Sequence, residues 1–356
     1  MYESLKFAKD LKGTFTNDVN EAIKASEKFT VEPIEVQLKD IKIHEDGTLE
    51  NGSERKVTKR GFENLCKILG IPRPFAREIP NELLFYNIKK LQTSKSSLEV
   101  VLLERPDGII ANIVKGPYSE SSYVDVLTHF SEREDIQHID ITEALLTIAL
   151  TFTEVSVKAS DLQVGRSVKP DVFYVGSWIY NSILKETALH TESGLYRTHC
   201  QNSYIAPFLG RIRANYLKEP DERLLKFSEN VRFYDGDILA RLQRNFDRFE
   251  SKYLYDVEFI KLWRAFAKAA GIAEADKILG IDEPTRKEMS TAVLLRSAIN
   301  KRASLLGQPV SEPALTAVKA YDAINGITEF AKSLTGLEKY AVEKIGGVWI
   351  NKLILN

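Results

Sequence analysis

Cysteine and methionine are scarce in this 356-residue chain, two of each, and long apolar runs are missing altogether. Cys66 and Cys200 stand far apart, which makes no disulfide framework and suits a reducing compartment. No run of about 18 apolar residues occurs, so no membrane-spanning helix is expected. The opening Met1-Tyr2-Glu3-Ser4-Leu5-Lys6 lacks the apolar centre of a signal peptide, and the cytoplasm is the expected location. A charge bias is missing too: 49 Lys and Arg face 50 Asp and Glu, for a formal net charge of −1. A constitutive duplex-DNA binder carries a basic excess, because it neutralises many phosphates. Any nucleic-acid surface here has to be local.

The motifs of common chemistries are absent as well. There is no Gly-x-x-x-x-Gly-Lys-Ser/Thr phosphate loop, no Gly-x-Gly-x-x-Gly, no Gly-x-Ser-x-Gly and no His-Glu-x-x-His. The histidines are His44, His129, His138, His190 and His199. His199 and Cys200 are neighbours, but adjacent strand residues point to opposite faces and cannot easily hold one ion. Asp235-Gly236-Asp237 lacks the remaining ligands of a calcium loop, and a helix-capping turn before Ile238 explains it better. No metal, cofactor or catalytic residue is assigned, and the non-enzymatic reading is preferred.

What is present is globular: 44% hydrophobic and 28% charged residues rule out a disordered chain. Residues 1–30 read as a polar lead-in, irregular or weakly helical. Residues 31–43 alternate as a strand through Val36, Leu38, Ile41 and Ile43, followed by turns at Asp46-Gly47 and Asn51-Gly52. Thr58 is placed to cap a helix whose Phe62, Leu65, Cys66 and Leu69 share one face, with Gly70 ending it and Pro72 barring its continuation. A second helix is expected over 81–91. Residues 98–104 and 109–114 flank an Arg-Pro-Asp-Gly turn as a hairpin. Residues 121–132 read as helix, and 145–157, 172–180 and 195–200 as strands. After Pro207 helices dominate, at 221–230, 237–270, 284–306 and 312–334, the last with Ser311 as its cap. The expected class is α+β: a central antiparallel β-meander flanked by helices, with a helical C-terminal third. The divisions are the lead-in 1–30, an α+β core at 31–206, and a mainly helical region at 207–356 packed on or following the core.

Two segments offer a local anion-binding surface. In residues 207–216, an extended chain puts Arg211 and Arg213 on one face with Phe208 and Tyr216 nearby. Cations interleaved with rings suit single-stranded nucleic acid, where phosphates meet charge and bases meet aromatic faces. In the helix at 237–256, Arg241, Arg244, Arg248 and Lys252 form a basic stripe beside an apolar stripe of Leu242, Phe246, Phe249 and Tyr253. The plainer account is a solvated face paired with Asp247 and Glu250. Arg197, in the preceding strand, joins the candidate set.

The stretch Lys169-Pro170-Asp171-Val172-Phe173-Tyr174-Val175-Gly176-Ser177-Trp178-Ile179-Tyr180-Asn181-Ser182 resembles a core motif of the phage/plasmid-like domain-of-unknown-function family 932. That motif opens a strand with Asp, places Gly a few residues on and ends in Asn-Ser. Residues 194–202, Gly-Leu-Tyr-Arg-Thr-His-Cys-Gln-Asn, resemble the family's Tyr-Arg-x-x-Cys-x-Asn-Gly segment. Weaker similarities fall at Leu69-Gly70-Ile71-Pro72, at Ile79-Pro80, at 111–118 and at 321–329. The likeness spans roughly residues 30 to 345. Ile183 stands where many members carry an acidic residue, which weakens any carboxylate-based site there, and Ser203 where they carry Gly, so the turn after Asn202 need not be left-handed. The resemblance implies a mobile-element setting in host cytoplasm and carries over no catalytic residue.

Three functions compete. The first is binding of single-stranded DNA in phage or plasmid replication or recombination, by a protein that forms homo-oligomers. The second is a non-enzymatic interaction or self-assembling protein that modulates host or defence proteins. The third is an enzyme of unfamiliar chemistry using His190, His199, Asn181 and Arg197, for which a buried polar network is the plainer account.

Overall fold

The computed structural model describes residues 5–118, 122–164, 167–197, 202–213, 230–231, 234–249, 252–254, 256–281 and 318–355. The first thirty residues hold more regular structure than their polarity suggests. They form strand β1 (Thr14–Thr16) and helix α1 (Val19–Ser26). Asp18 caps α1 by accepting from the Asn20 and Glu21 amides at 2.8 and 3.2 Å.

The predicted strand at 31–43 is interrupted. Strand β2 (Glu32–Gln37) ends in a 3₁₀ turn, Leu38–Asp40, before β3 (Lys42–Ile43). The inward positions change parity between Leu38 and Ile41, and the turn absorbs that shift. Strands β4 (Leu49–Asn51) and β5 (Ser53–Arg55) complete a small sheet with β3. Helices α2 (Lys59–Leu69), α3 (Arg73–Glu78) and α4 (Asn81–Ser94) follow, then the hairpin β6 (Glu99–Glu104) and β7 (Ile110–Lys115), which pairs with β2. Thr58 and Gly70 cap α2 as expected, Gly70 at a left-handed φ of 94°. Leu65, Cys66, Leu69, Leu84 and Ile88 bury against Val100, Leu102, Ile110 and Ile113 in a core of their own.

After α5 (Tyr123–His129) comes the main sheet: β8 (Ile136–Ile141), β9 (Leu146–Val164), β10 (Ser167–Asn181), β11 (His190–Arg197), β12 (Asn202–Ile205) and β13 (Arg211–Arg213). It is antiparallel and curled into a half-barrel, ordered β1-β8-β9-β10-β11-β12, with β13 also pairing with β11. The meander is therefore observed. Its period-2 alternation separates two faces. Phe173, Val175, Ile179 and Leu195 enter the large core, while Trp178, Tyr180 and Tyr196 pack on the other side with Ala149 and Ile205.

The C-terminal part is helical, as expected, but the segment at 237–270 is not one helix. Helix α6 (Gly236–Phe249) gives way to the two-residue strand β14 (Tyr253–Leu254), paired with β15 (Val318–Lys319), before α7 (Asp256–Ala270). Then come α8 (Ile272–Leu279), α9 (Ala320–Ala331), α10 (Gly336–Ile350) and a π-helical turn, Asn351–Leu355. Ser311 and the segments at 221–230 and 284–306 lie outside the described residues. Helix α10, which periodicity did not single out, lies on the face of the main sheet that carries Trp178, Tyr180 and Tyr196. Its Gly346 and Gly347 let the backbones touch, since a Cβ on Gly347 would overlap the Ile205 carbonyl. No described helix is long and apolar enough to cross a membrane.

Candidate functional site

Helix α6 begins at Asp235, whose Oδ1 accepts from the Asp237 and Ile238 amides at 2.9 and 3.0 Å. Asp235-Gly236-Asp237 is thus a capping turn. Leu242 and Phe246 are fully buried, with Phe246 4.8 Å from the Phe173 ring, and Arg241 and Arg244 are exposed on the opposite side. The helix is fastened to the sheet by Gln243. Its Oε1 accepts from the Lys158 amide and its Nε2 donates to the Lys158 carbonyl, both at 2.8 Å. From Val172↔Lys158 outward to Ser167↔Val164, β9 and β10 pair only with each other among the described residues, so α6 stands at the base of a two-stranded ribbon.

The other candidates are placed differently. Lys252 is half-buried and donates to the Leu353 carbonyl at 2.9 Å. Phe208 packs partly buried on the large core. Arg197 is only 4% exposed, its guanidinium 5.9 Å from the Phe173 ring centre. Arg211 pairs with the buried Glu192 at 3.1 Å. Tyr216, His199 and Cys200, and the side chains of Arg213 and Arg248, lie outside the described residues. Cys66 is a core thiol, pushed up to about 12 by burial and by Glu63.

His190 and Arg197 do not share a pocket. They occupy the two ends of β11, about 23 Å apart at strand rise, and point to opposite faces. His190 packs at a tilt against the Tyr180 ring, centroids 5.1 Å apart, and its Nδ1 lies 2.8 Å from the Ala188 carbonyl. Beside it, the fully buried Glu192 accepts from Tyr340 Oη at 3.0 Å and from Lys344 Nζ at 3.0 Å, besides Arg211. This network ties α10 and β13 to the sheet, which is the polar-network account in physical form.

Sequence reasoning missed a cleft of about 690 Å³ between the β1/β8 edge of the sheet and the α9–α10 connection. Phe15, His138, Tyr196, Lys332, Lys339 and Glu343 line it. Phe15 is 60% exposed and stacks on His138 at 5.2 Å with a 26° interplanar angle, and Lys339 Nζ sits 5.0 Å from its ring centre. Burial lowers His138 to about 3, helped by Lys339, so its imidazole is neutral. Burial also raises Glu343 to about 8, against the pull of Lys339, so this carboxyl is protonated at neutral pH. Asp140 is raised by burial as well. Its Oδ2 accepts from the Gly336 amide at 2.9 Å, and its Oδ1 is buried without a hydrogen-bond partner among the described residues. Glu343 is 4% exposed and makes no hydrogen bond among the described residues. Two spacings carry this site: His138 and Asp140 two apart on a strand, and Lys339 and Glu343 four apart on a helix.

No family model matches the chain, and no curated protein or solved structure proves similar to it.

Proposed function

We propose that this protein binds single-stranded nucleic acid, in a phage or plasmid replication or recombination setting, through the outer face of α6. One observation carries the reading. Leu242, Phe246 and the Gln243 clamp fix α6, and thereby hold Arg241 and Arg244 toward solvent at the base of the β9–β10 ribbon. Fixed cations on a rigid element meet phosphates at low entropic cost, and the interaction weakens with salt through counterion release. The mobile-element setting rests on the likeness of 169–182 and 194–202 to the phage/plasmid-like family. Anisotropy of a labelled oligodeoxythymidine, titrated across salt, is the test. Binding that falls linearly with log salt, and at least ten-fold in an Arg241→Glu/Arg244→Glu double variant, supports the reading. Absence of binding at low salt overturns it.

The exposed Leu83 and Tyr86, three apart on α4, favour a second reading as a self-associating interaction protein. Sedimentation of the protein alone separates the two: a concentration-dependent oligomer abolished by Leu83→Glu, with no nucleic-acid binding, selects the second.

A further inference from the structure

The cleft between the β1/β8 sheet edge and the α9–α10 connection combines features that α6 lacks. Phe15 offers an open aromatic shelf, backed by His138 at 5.2 Å. Glu343, almost wholly buried, lines the cleft without a hydrogen-bond partner among the described residues. A carboxylic acid presents a donor and an acceptor side by side, which is the pattern that an amide or amidine edge of a heteroaromatic ring satisfies. Lys339 makes no ion pair among the described residues, and Lys332, paired with Glu329 at 2.8 Å, stands at the same mouth. The volume suits one small ligand.

We propose that this cleft is a nucleotide site, with a base stacked on Phe15 and facing Glu343, and its phosphate held by Lys339 and Lys332. The ligand is a free mononucleotide or one unstacked residue of a single strand, which share this chemistry. The inference stands apart from the α6 surface and does not need it. Neutral carboxyl is the binding form, so affinity falls as pH rises through about 8, where Glu343 ionises. The groups facing Glu343 are Lys339 on its own helix, His138 and Asp140 from β8, Tyr180 from β10, Tyr196 from β11 and Lys332 after α9. A phosphate gains charge as pH rises, so lysine attraction alone predicts the opposite trend.

Calorimetric titration of the full chain with each of the four deoxynucleoside 5′-monophosphates tests this, with inorganic phosphate as control. Expected is binding of at least one nucleotide, reduced about 5- to 100-fold in Phe15→Ala by loss of base stacking. Lys339→Ala weakens it similarly. The fall in affinity from pH 6.5 to 9 disappears in Glu343→Gln, which keeps a donor and an acceptor at all pH values. No nucleotide binding at millimolar concentration overturns the proposal. So does equal binding of inorganic phosphate, or binding indifferent to Phe15→Ala and Lys339→Ala. If Phe15→Ala weakens both a mononucleotide and a labelled oligonucleotide, the strand is the source. If it weakens only the mononucleotide, the free nucleotide is. Loss of oligonucleotide binding in Arg241→Glu/Arg244→Glu with mononucleotide binding intact shows that the two surfaces are separate.

Discussion

Glu343 and His138 are buried a short way apart, and each is held in the form that water disfavours at some pH. Glu343 binds its proton more tightly folded, at about 8, than its ordinary 4.5. Between those values the native state holds more protons than the unfolded chain, so stability falls as pH rises. His138 runs the other way. Its folded value of about 3 lies below the ordinary 6.5, so stability is lost as pH falls through that window. The two oppose each other from 4.5 to 6.5, and only Glu343 acts from 6.5 to 8. Chemical denaturation at closely spaced pH values should therefore show a loss of stability from 6.5 to 8 that Glu343→Gln removes. The two spacings put each pair on one face of its element, but nothing local brings the strand and the helix together. Asp140 accepts from Gly336, far along the chain, and a buried charged residue on a strand reads locally as the solvent side. The arginine stripe was legible at Arg241 and Arg244 because helical period alone separates it from Leu242 and Phe246.

At the scale of elements, legibility followed local chemistry. Helix α2 carries its own start and stop: Thr58 Oγ1 accepts from Gly61 at 3.1 Å, and Gly70 takes the left-handed φ that ends it. Helix α10 starts at Thr335, whose side chain makes no capping hydrogen bond, it has no glycine to stop it, and its two interior glycines lower its intrinsic propensity. Contact with Ile205 and the Glu192 network decides it instead. The small strand β14 was equally hidden, because its partner β15 lies far along the chain. The docking of α6 on β9 depends on the paired bonds of Gln243, partly exposed to water, so their net contribution is about 1 kcal/mol each or less. Gln243→Ala should leave global stability nearly unchanged while speeding hydrogen exchange at the Lys158 amide. Unchanged exchange there would mean that hydrophobic contacts alone hold the helix.

Among the described residues the apolar side chains form three cores: one under α2 to α4, a larger one inside the curled sheet and a small one between the sheet and α10. The first two meet at the turn between β10 and β11. Asn112 donates to the Leu184 carbonyl at 2.6 Å, Tyr118 to the Ile183 carbonyl at 2.8 Å, and Asn64 to Glu186 at 3.2 Å. Lys185 adopts a φ of 57°, unusual for a side chain of its kind, to complete that turn. Ile183 is 3% exposed, so a carboxylate at this position would meet the large core. Asn112→Ala removes a buried donor from this junction. It should destabilise the chain by about 1–3 kcal/mol and lower the van't Hoff enthalpy below the calorimetric one as the two cores uncouple. A single sharp transition in the variant would show that the cores are joined by other means. The strand order of the main sheet has a consequence in time. Strands β8 to β11 join neighbours along the chain, whereas β1 must find β8 by pairing Thr14 with Ile141. Closing so long a loop is entropically slow, so the sheet should assemble as a run of hairpins. The edge that bears Phe15 should dock last, making the cleft among the final features of the molecule to form.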